Sequence, residues 1–154
     1  MKRFHYSLDS VLAYKNQILD NLKEEHAVML HDVNAKKEEI AKMRSELNEF
    51  QNDFDSAKQS GATIQDFQLY DMCIGQMVKQ IDAQKEVLTG LQKKEEKKKT
   101  EVINAKVDTS RFEKLKSRRF REYQKLCQKE EEAFIEEFVV RGLTTSGRQS
   151  HPRG

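Results

Sequence analysis

The feature that most constrains this chain is a 3.5-residue repeat of apolar positions that runs through its first half. Steps that alternate between four and three residues, counted from Leu8, reach Ala57 through fifteen positions, of which twelve are apolar. Such a repeat, sustained over several heptads, is the signature of a left-handed coiled coil. The first half therefore predicts one long helix, from about residue 7 to residue 58, with a single apolar seam.

The repeat breaks off just before Gly61. Glycine adopts the left-handed conformation that commonly ends a helix. Thr63, with Asp66 three residues later, resembles a capping box at the start of a second helix. A short connection between two long helices makes them antiparallel neighbours. The sequence therefore predicts a tip at residues 59–63.

The second half carries a matching apolar stripe, and the predicted second helix runs from about residue 64 to residue 140. The predicted fold class is all-α, with two long helices forming one antiparallel coiled-coil hairpin over residues 1–141. Folding about Gly61 pairs residues whose numbers add up to about 122. The predicted coiled-coil core consists of Leu12, Leu19, Val33, Ile40, Met43, Leu47, Ile74, Val78, Ile81 and Leu88.

The same register predicts two places where the seam is incomplete. His26 falls opposite Glu95, in a stretch of the second helix that has no apolar residue, so we expect a polar layer and a loosely packed middle there. Leu8 pairs near Lys114, yet the apolar face continues to Phe138. About 25 residues of the second helix therefore project past the first and offer an interaction surface.

Composition favours this architecture and excludes several classes of protein. Charged residues make up 35% of the chain, Trp is absent, and the lone proline is Pro152. A net charge of +2 does not require a nucleic acid or a membrane as partner. No run of about 18 apolar residues exists, so no membrane span is expected. Two distant cysteines favour a reducing, cytosolic compartment, and turn-forming residues from 142 to 154 predict a disordered tail.

The sequence contains no constellation that would support catalysis or cofactor binding. His26 and His31 are five residues apart, so they do not share a helix face as a pair of metal ligands would. Carboxylates are numerous, but they lie on helix faces that enclose no cleft. We expect no enzyme activity, metal, cofactor or small-molecule ligand.

Charge is distributed unevenly along the final third of the chain. Residues 111–125 hold seven basic and two acidic side chains with interleaved aromatics, whereas residues 130–137 carry five acids and no base. The basic segment could bind phosphates, but the acidic one would repel a nucleic acid. A helix that is positive and then negative is better interpreted as a protein-docking element with matching charges on its partner.

Three segments together resemble the FliJ family, the coiled-coil component of the flagellar type III protein export apparatus. They are the opening from Phe4 to Lys15, the segment 50–54 (FQNDF) ahead of the glycine-bearing tip, and residues 112–123. The resemblance covers about residues 3–140, including the longer second helix. It rests on the conjunction of these segments, since heptads alone are common to all coiled coils.

The resemblance implies a hairpin similar to the central stalk of rotary ATPases, located in the cytoplasm and peripheral to the inner membrane through its partners. The implied partners are the export ATPase FliI and its regulator, the export gate protein FlhA, and export chaperones, which members of the family escort. The implied process is flagellum biogenesis, on which motility and chemotaxis depend. The implied ATPase-ring contacts are Arg3, Phe4, Leu8, Lys114, Arg118, Arg119, Arg121 and Tyr123. The implied export-gate contacts are Phe50, Phe54 and Met77.

Two other functions fit the same pattern. One is the equivalent coiled-coil stalk of a virulence injectisome, which genome neighbourhood would separate from the flagellar system. The other is a general structural coiled coil that dimerises through its projecting end, which sedimentation would reveal. A nucleic-acid binder ranks below both.

Overall fold

Two long α-helices, packed against each other, account for nearly all of the fold. The computed structural model describes residues 2–149, and within them there is no β-strand. Helix α1 spans Asp9–Gln59 and helix α2 spans Ile64–Gln149. Four residues connect the helices, so the predicted all-α architecture of two long helices is confirmed.

The turn between the helices forms as its residues dictate. Gly61 has a φ of 79°, in the left-handed region where a glycine avoids the strain of a Cβ. The amide of Ala62 donates to the carbonyl of Ala57, which satisfies one of the free carbonyls at the end of α1. The Thr63 amide donates to Asp66 Oδ2, and the Asp66 amide donates to Thr63 Oγ1, both at 3.2 Å. The predicted capping box is therefore confirmed.

The helix ends differ from the predicted ones at two points. Helix α1 begins at Asp9 instead of near residue 7: the Asp9 amide donates to the Tyr6 carbonyl in a turn that precedes the helix, and the Leu12 amide donates to the Leu8 carbonyl. Helix α2 continues to Gln149, past the predicted end near residue 140 and into the segment predicted as a disordered tail. Hydroxyls of Thr144 and Thr145 bond back to carbonyls of the preceding turn and accompany this extension. Residues 150–154 of that predicted tail lie outside the described residues.

Contacts divide the chain into two compact units. The loop unit contains residues 17–106, and the terminal unit contains residues 1–16 with 107–154. Within the loop unit, Phe54 contacts Phe67, Lys36 bonds Gln84, and residue 26 bonds residue 95, so the paired segments run antiparallel. Within the terminal unit, Lys15 pairs with Asp108 and residue 9 pairs with residue 116, again in antiparallel order.

The predicted seam of α1 matches the burial of its side chains. All fifteen positions from Leu8 to Ala57 are buried or half-buried, including the three polar ones. The most enclosed are Val33 and Ile40, each 4% exposed. The 3.5-residue repeat therefore identified the packed face of this helix correctly.

The predicted seam of α2 is wrong at Val78. This side chain is 39% exposed and does not belong to the core, whereas the other predicted core residues are buried or half-buried. The packed face steps three residues from Phe67 to Tyr70, where the predicted stripe stepped four to residue 71. From there it passes through Ile74 and Met77 to Ile81, which turns Val78 outward.

Candidate docking surfaces

The terminal unit holds the residues implied as ATPase-ring contacts, and an aromatic cluster joins some of them. The Phe4 ring lies 5.0 Å from the Phe120 ring and 5.4 Å from the Tyr123 ring, centroid to centroid. The Tyr123 hydroxyl donates to the Lys2 carbonyl at 2.5 Å. Residues 2–8, which precede α1, thus cover part of α2 beyond the position where pairing was expected to end.

Tyr6 anchors this N-terminal segment. It is 3% exposed, and its hydroxyl donates to the carbonyl of Phe112 at 3.1 Å. Lys116 and Arg119 approach the Tyr6 ring at 5.9 Å each, and Lys116 also pairs with Asp9 at 2.8 Å. These two cations are therefore engaged within the molecule.

The remaining basic residues of the implied ring-contact set are free to meet a partner. Arg3, Lys114, Arg118 and Arg121 are all exposed. None of them forms an ion pair within 4 Å among the described residues. Leu8 and Phe4, in contrast, are half-buried, so they support the surface more than they present it.

The neighbours of the Tyr123 side chain change the acidity of its phenol. Its pKa is raised above the usual range, first by a hydrogen bond with the Cys127 thiol and then by loss of solvent and by nearby negative charge. The phenol therefore keeps its proton throughout the physiological range and remains a donor to Lys2. Cys127 and Cys73 are both free thiols and half-buried.

Beyond Tyr123 the apolar side chains of α2 are uncovered. Phe134 and Phe138 are 69% and 71% exposed, and Leu126 is 60% exposed. Five glutamates surround these side chains between residues 130 and 137. The structure confirms an exposed, amphipathic end to α2, but the uncovered part begins near Leu126, later than the predicted start after Lys114.

Next to the loop, a second aromatic cluster joins both helices. Tyr70 of α2 lies 5.2 Å from Phe50 and 5.1 Å from Phe54, and Phe54 meets Phe67 edge-on at 5.8 Å. Lys58 Nζ sits 4.1 Å from the centre of the Phe54 ring, as a cation–π contact. Two of the three implied gate contacts, Phe50 and Phe54, are thus brought together and are half-buried.

Met77, the third implied gate contact, is not part of this cluster. It occupies a half-buried position in the packed face of α2. Two apolar residues of α2 near the loop, which the sequence analysis did not single out, are more exposed than Met77: Leu69 is 57% exposed and Met72 is 68% exposed. They lie three residues apart, off the seam, and Leu69 borders a shallow groove with Tyr70. Their spacing on one helix face was the signal that could have identified them.

The middle of the loop unit is polar, as the sequence predicts. His26 Nε2 lies 2.8 Å from Glu95 Oε1, with side chains 22% and 17% exposed. Beside them, Lys98 bonds Glu25 at 2.9 Å and Glu101 at 3.0 Å, and these bonds raise the pKa of Lys98. Because its folded pKa is raised, the lysine contributes stability at neutral pH that is lost only as pH rises through that pKa.

Neither an ion site nor a membrane span is found in the described part of the chain. No group of three His, Cys, Asp or Glu side chains there could hold a metal ion. Within residues 2–149, no helical stretch is long and apolar enough to cross a bilayer.

Comparison with known proteins shows a match to a protein family. A family model described as flagellar FliJ protein matches residues 4–148, which is nearly the whole chain. Searches of curated proteins and of solved structures give no match.

Proposed function

The chain belongs to the FliJ family, whose members are non-enzymatic components of the flagellar protein export apparatus, and we propose that it acts there by docking its terminal unit into the export ATPase ring. In this proposal the two helices form an antiparallel coiled-coil hairpin similar to the central stalk of rotary ATPases. The ring is formed by FliI, and the hairpin promotes its assembly or activity.

The observation that carries this proposal is the unpaired basic surface of the terminal unit. Lys114, Arg118 and Arg121 are exposed and form no ion pair within the part of the chain that the structure describes, and they lie beside an aromatic cluster that holds residues 2–8 against α2. Cations that have no internal partner steer association with an acidic surface and fix its orientation. Lys116 and Arg119, whose charges are already engaged, would keep the N-terminal segment in place during docking.

A charge reversal tests the docking directly. We expect Lys114→Glu with Arg118→Glu to weaken stimulation of FliI turnover at least about tenfold. The attraction between these two cations and acidic groups of the ring would be replaced by repulsion between like charges across the interface. The matched control is Lys93→Glu with Lys97→Glu, an equal change of charge on exposed positions of the loop unit. Unchanged circular dichroism would show that both variants remain helical. Equal loss in both variants, or none in either, would contradict docking through the terminal unit.

We also propose that the surface near the loop contacts the export gate protein FlhA. Phe50, Phe54 and Met77 are the residues implied by the family; all three are half-buried, and Phe50 lines the same shallow groove as the exposed Leu69. Leu69→Ser with Met72→Ser should weaken binding to the cytoplasmic part of FlhA, while the fold is retained because neither side chain is packed. A gate affinity unchanged by this pair would place the contact elsewhere.

Escort of export chaperones and a position at the cytoplasmic face of the inner membrane complete the proposal. Both would follow from binding to other export components, with no membrane span required of this chain. Co-purification with chaperones that have released their cargo, and absence of chaperones that still hold it, is the expected result. Equal recovery of loaded chaperones would contradict an escort role.

A further inference from the structure

One face of α2 in the terminal unit carries a regular row of cations. Its members follow one another in steps of three or four residues, which keeps them in line along a helix. They are all exposed, and none forms an ion pair within 4 Å among the described residues. The basic row consists of Arg111, Lys114, Arg118, Arg121, Lys125 and Lys129.

Beyond Lys129 the same face changes sign. Glu132 and Glu136 continue the line of the basic row, and Glu132 accepts one weak hydrogen bond from Gln128 at 3.3 Å. Between and after them lie Ile135 and Val139, which are 59% and 51% exposed. The face is therefore positive along its first part, and acidic with apolar side chains along its second.

We propose that a second copy of this chain covers this face in antiparallel orientation. Placing Arg121 opposite Glu136 also places Lys125 opposite Glu132, and twofold symmetry repeats both pairs. The two pairings imply the same crossing point, between residues 128 and 129. A helix face that is positive in its first part and negative in its second is complementary to the same face of a second copy only when the two helices are antiparallel, as in an isologous dimer.

The apolar side chains fit the same arrangement. In this register Val139 of one copy lies opposite Arg118 of the other, so the aliphatic part of the arginine can cover the valine while its guanidinium stays in water. Ile135 lies opposite Glu122, the one acid at the edge of the basic row, and can pack on its methylenes. A parallel pairing would instead place like charges beside each other along the whole face.

Charge pattern also argues against the other classes of partner. A nucleic acid or an anionic bilayer would be attracted by the basic row and repelled by the glutamates that follow it. The inference does not rest on docking into an ATPase ring. It adds a consequence to that function, since a second copy would cover Arg118 and Arg121 and so compete with the ring.

Charge exchange between copies tests the pairing. Sedimentation of the full chain at about 50 mM salt should show a dimer that dissociates at about 500 mM, because exposed pairs are screened. Arg121→Glu with Lys125→Glu makes the paired positions uniformly acidic, and Glu132→Lys with Glu136→Lys makes them uniformly basic. Each variant alone should dimerise at least about tenfold more weakly, and an equimolar mixture should form a heterodimer.

Orientation is tested separately with spin labels at Val139→Cys, after Cys73→Ser and Cys127→Ser. In the antiparallel dimer the two labels should lie about 30 Å apart along the helices, from a rise of about 1.5 Å per residue. Lys93→Glu with Lys97→Glu, which changes the net charge as much as Arg121→Glu with Lys125→Glu does, should dimerise as the wild type. A wild-type chain that is monomeric at low salt, a mixture that forms no heterodimer, or adjacent labels would each overturn the proposal.

Discussion

The loop unit contains two regions built on one seam from opposite kinds of residue. The loop end, residues 40–54 with 67–81, packs aromatic and branched side chains such as Ile40 and Ile81, each 4% exposed. The polar middle, residues 22–36 with 84–98, contains His26 paired with Glu95 and a lysine bonded to Gln84. Apolar layers supply most of the stability of a coiled coil, whereas polar seam positions specify which residues face each other. We infer from this difference that the loop end contributes most of the stability, whereas the polar middle specifies which residues of the two helices face each other.

The largest effect should come from removing a packed side chain at the loop end. Ile40→Ala should lower the free energy of unfolding by about 2–4 kcal/mol, because it deletes buried methylenes and leaves a cavity. Met29→Ala in the polar middle should cost less, since Met29 is only half-buried. Urea denaturation of both variants measures the contrast, and equal losses would show that the two regions are packed alike.

The next largest effect on stability is expected at the turn that joins the two helices of the loop end. Gly61→Ala should destabilise the protein by about 1–2 kcal/mol, because a Cβ at a φ of 79° is strained. Gly75→Ala is the control, since a Cβ there would meet no atom within 4 Å. If both substitutions changed the midpoint of thermal unfolding in the same direction, strain at Gly61 would not be the cause.

A smaller effect of opposite sign is expected in the polar middle. Replacing both His26 and Glu95 by leucine should raise the free energy of unfolding by about 1 kcal/mol, because a desolvated pair gives way to apolar contact. Glu95→Leu alone should destabilise, since it leaves His26 without its partner. Stability lost in the double variant would mean that the pair contributes more than register.

The smallest expected effect on stability comes from a substitution beside the polar middle, and it tests how this region differs from the loop end. Gly90→Ala, beside the polar middle, should stabilise by roughly 0.5–1 kcal/mol through helix propensity, since the added Cβ meets no atom within 4 Å. Amide exchange should be faster in residues 22–29 of the polar middle than in residues 40–54 of the loop end in the wild type, and Gly90→Ala should make the two rates more alike. Uniformly slow exchange in both stretches would contradict a loosely packed middle.

Much of α1 could be predicted because its seam is mostly apolar and keeps one spacing from end to end. All fifteen positions of the repeat from Leu8 to Ala57 are buried or half-buried, although Asn16 and Ile18, outside the repeat, are half-buried too, and the glycine and capping box located the turn. In α2 the seam uses Tyr70 and Gln84, which a count of aliphatic positions passes over, so Val78 was placed in the core wrongly. Gln84 is satisfied there by Lys36, a pairing that no periodicity reveals.

The candidate surfaces were less predictable, because they depend on contacts that have no periodic signal. Residues 2–8 are not helical, yet Phe4 and Tyr6 attach them to α2 and move the start of the uncovered face toward Leu126. Neither residue belongs to a heptad. Exposure at Leu69 and Met72 likewise depends on which phase the seam of α2 adopts.

The short connection at Gly61 has a consequence for the order in which the fold assembles. Phe54 and Phe67 are separated by few residues, whereas Tyr6 bonds to Phe112 across a separation of 106 positions. Loop-closure entropy is smallest for the first pair and rises with separation, so contacts beside the turn close first and draw the later ones within reach. Substitutions at Phe54 should then slow refolding, whereas substitutions at Tyr6 should mainly accelerate unfolding.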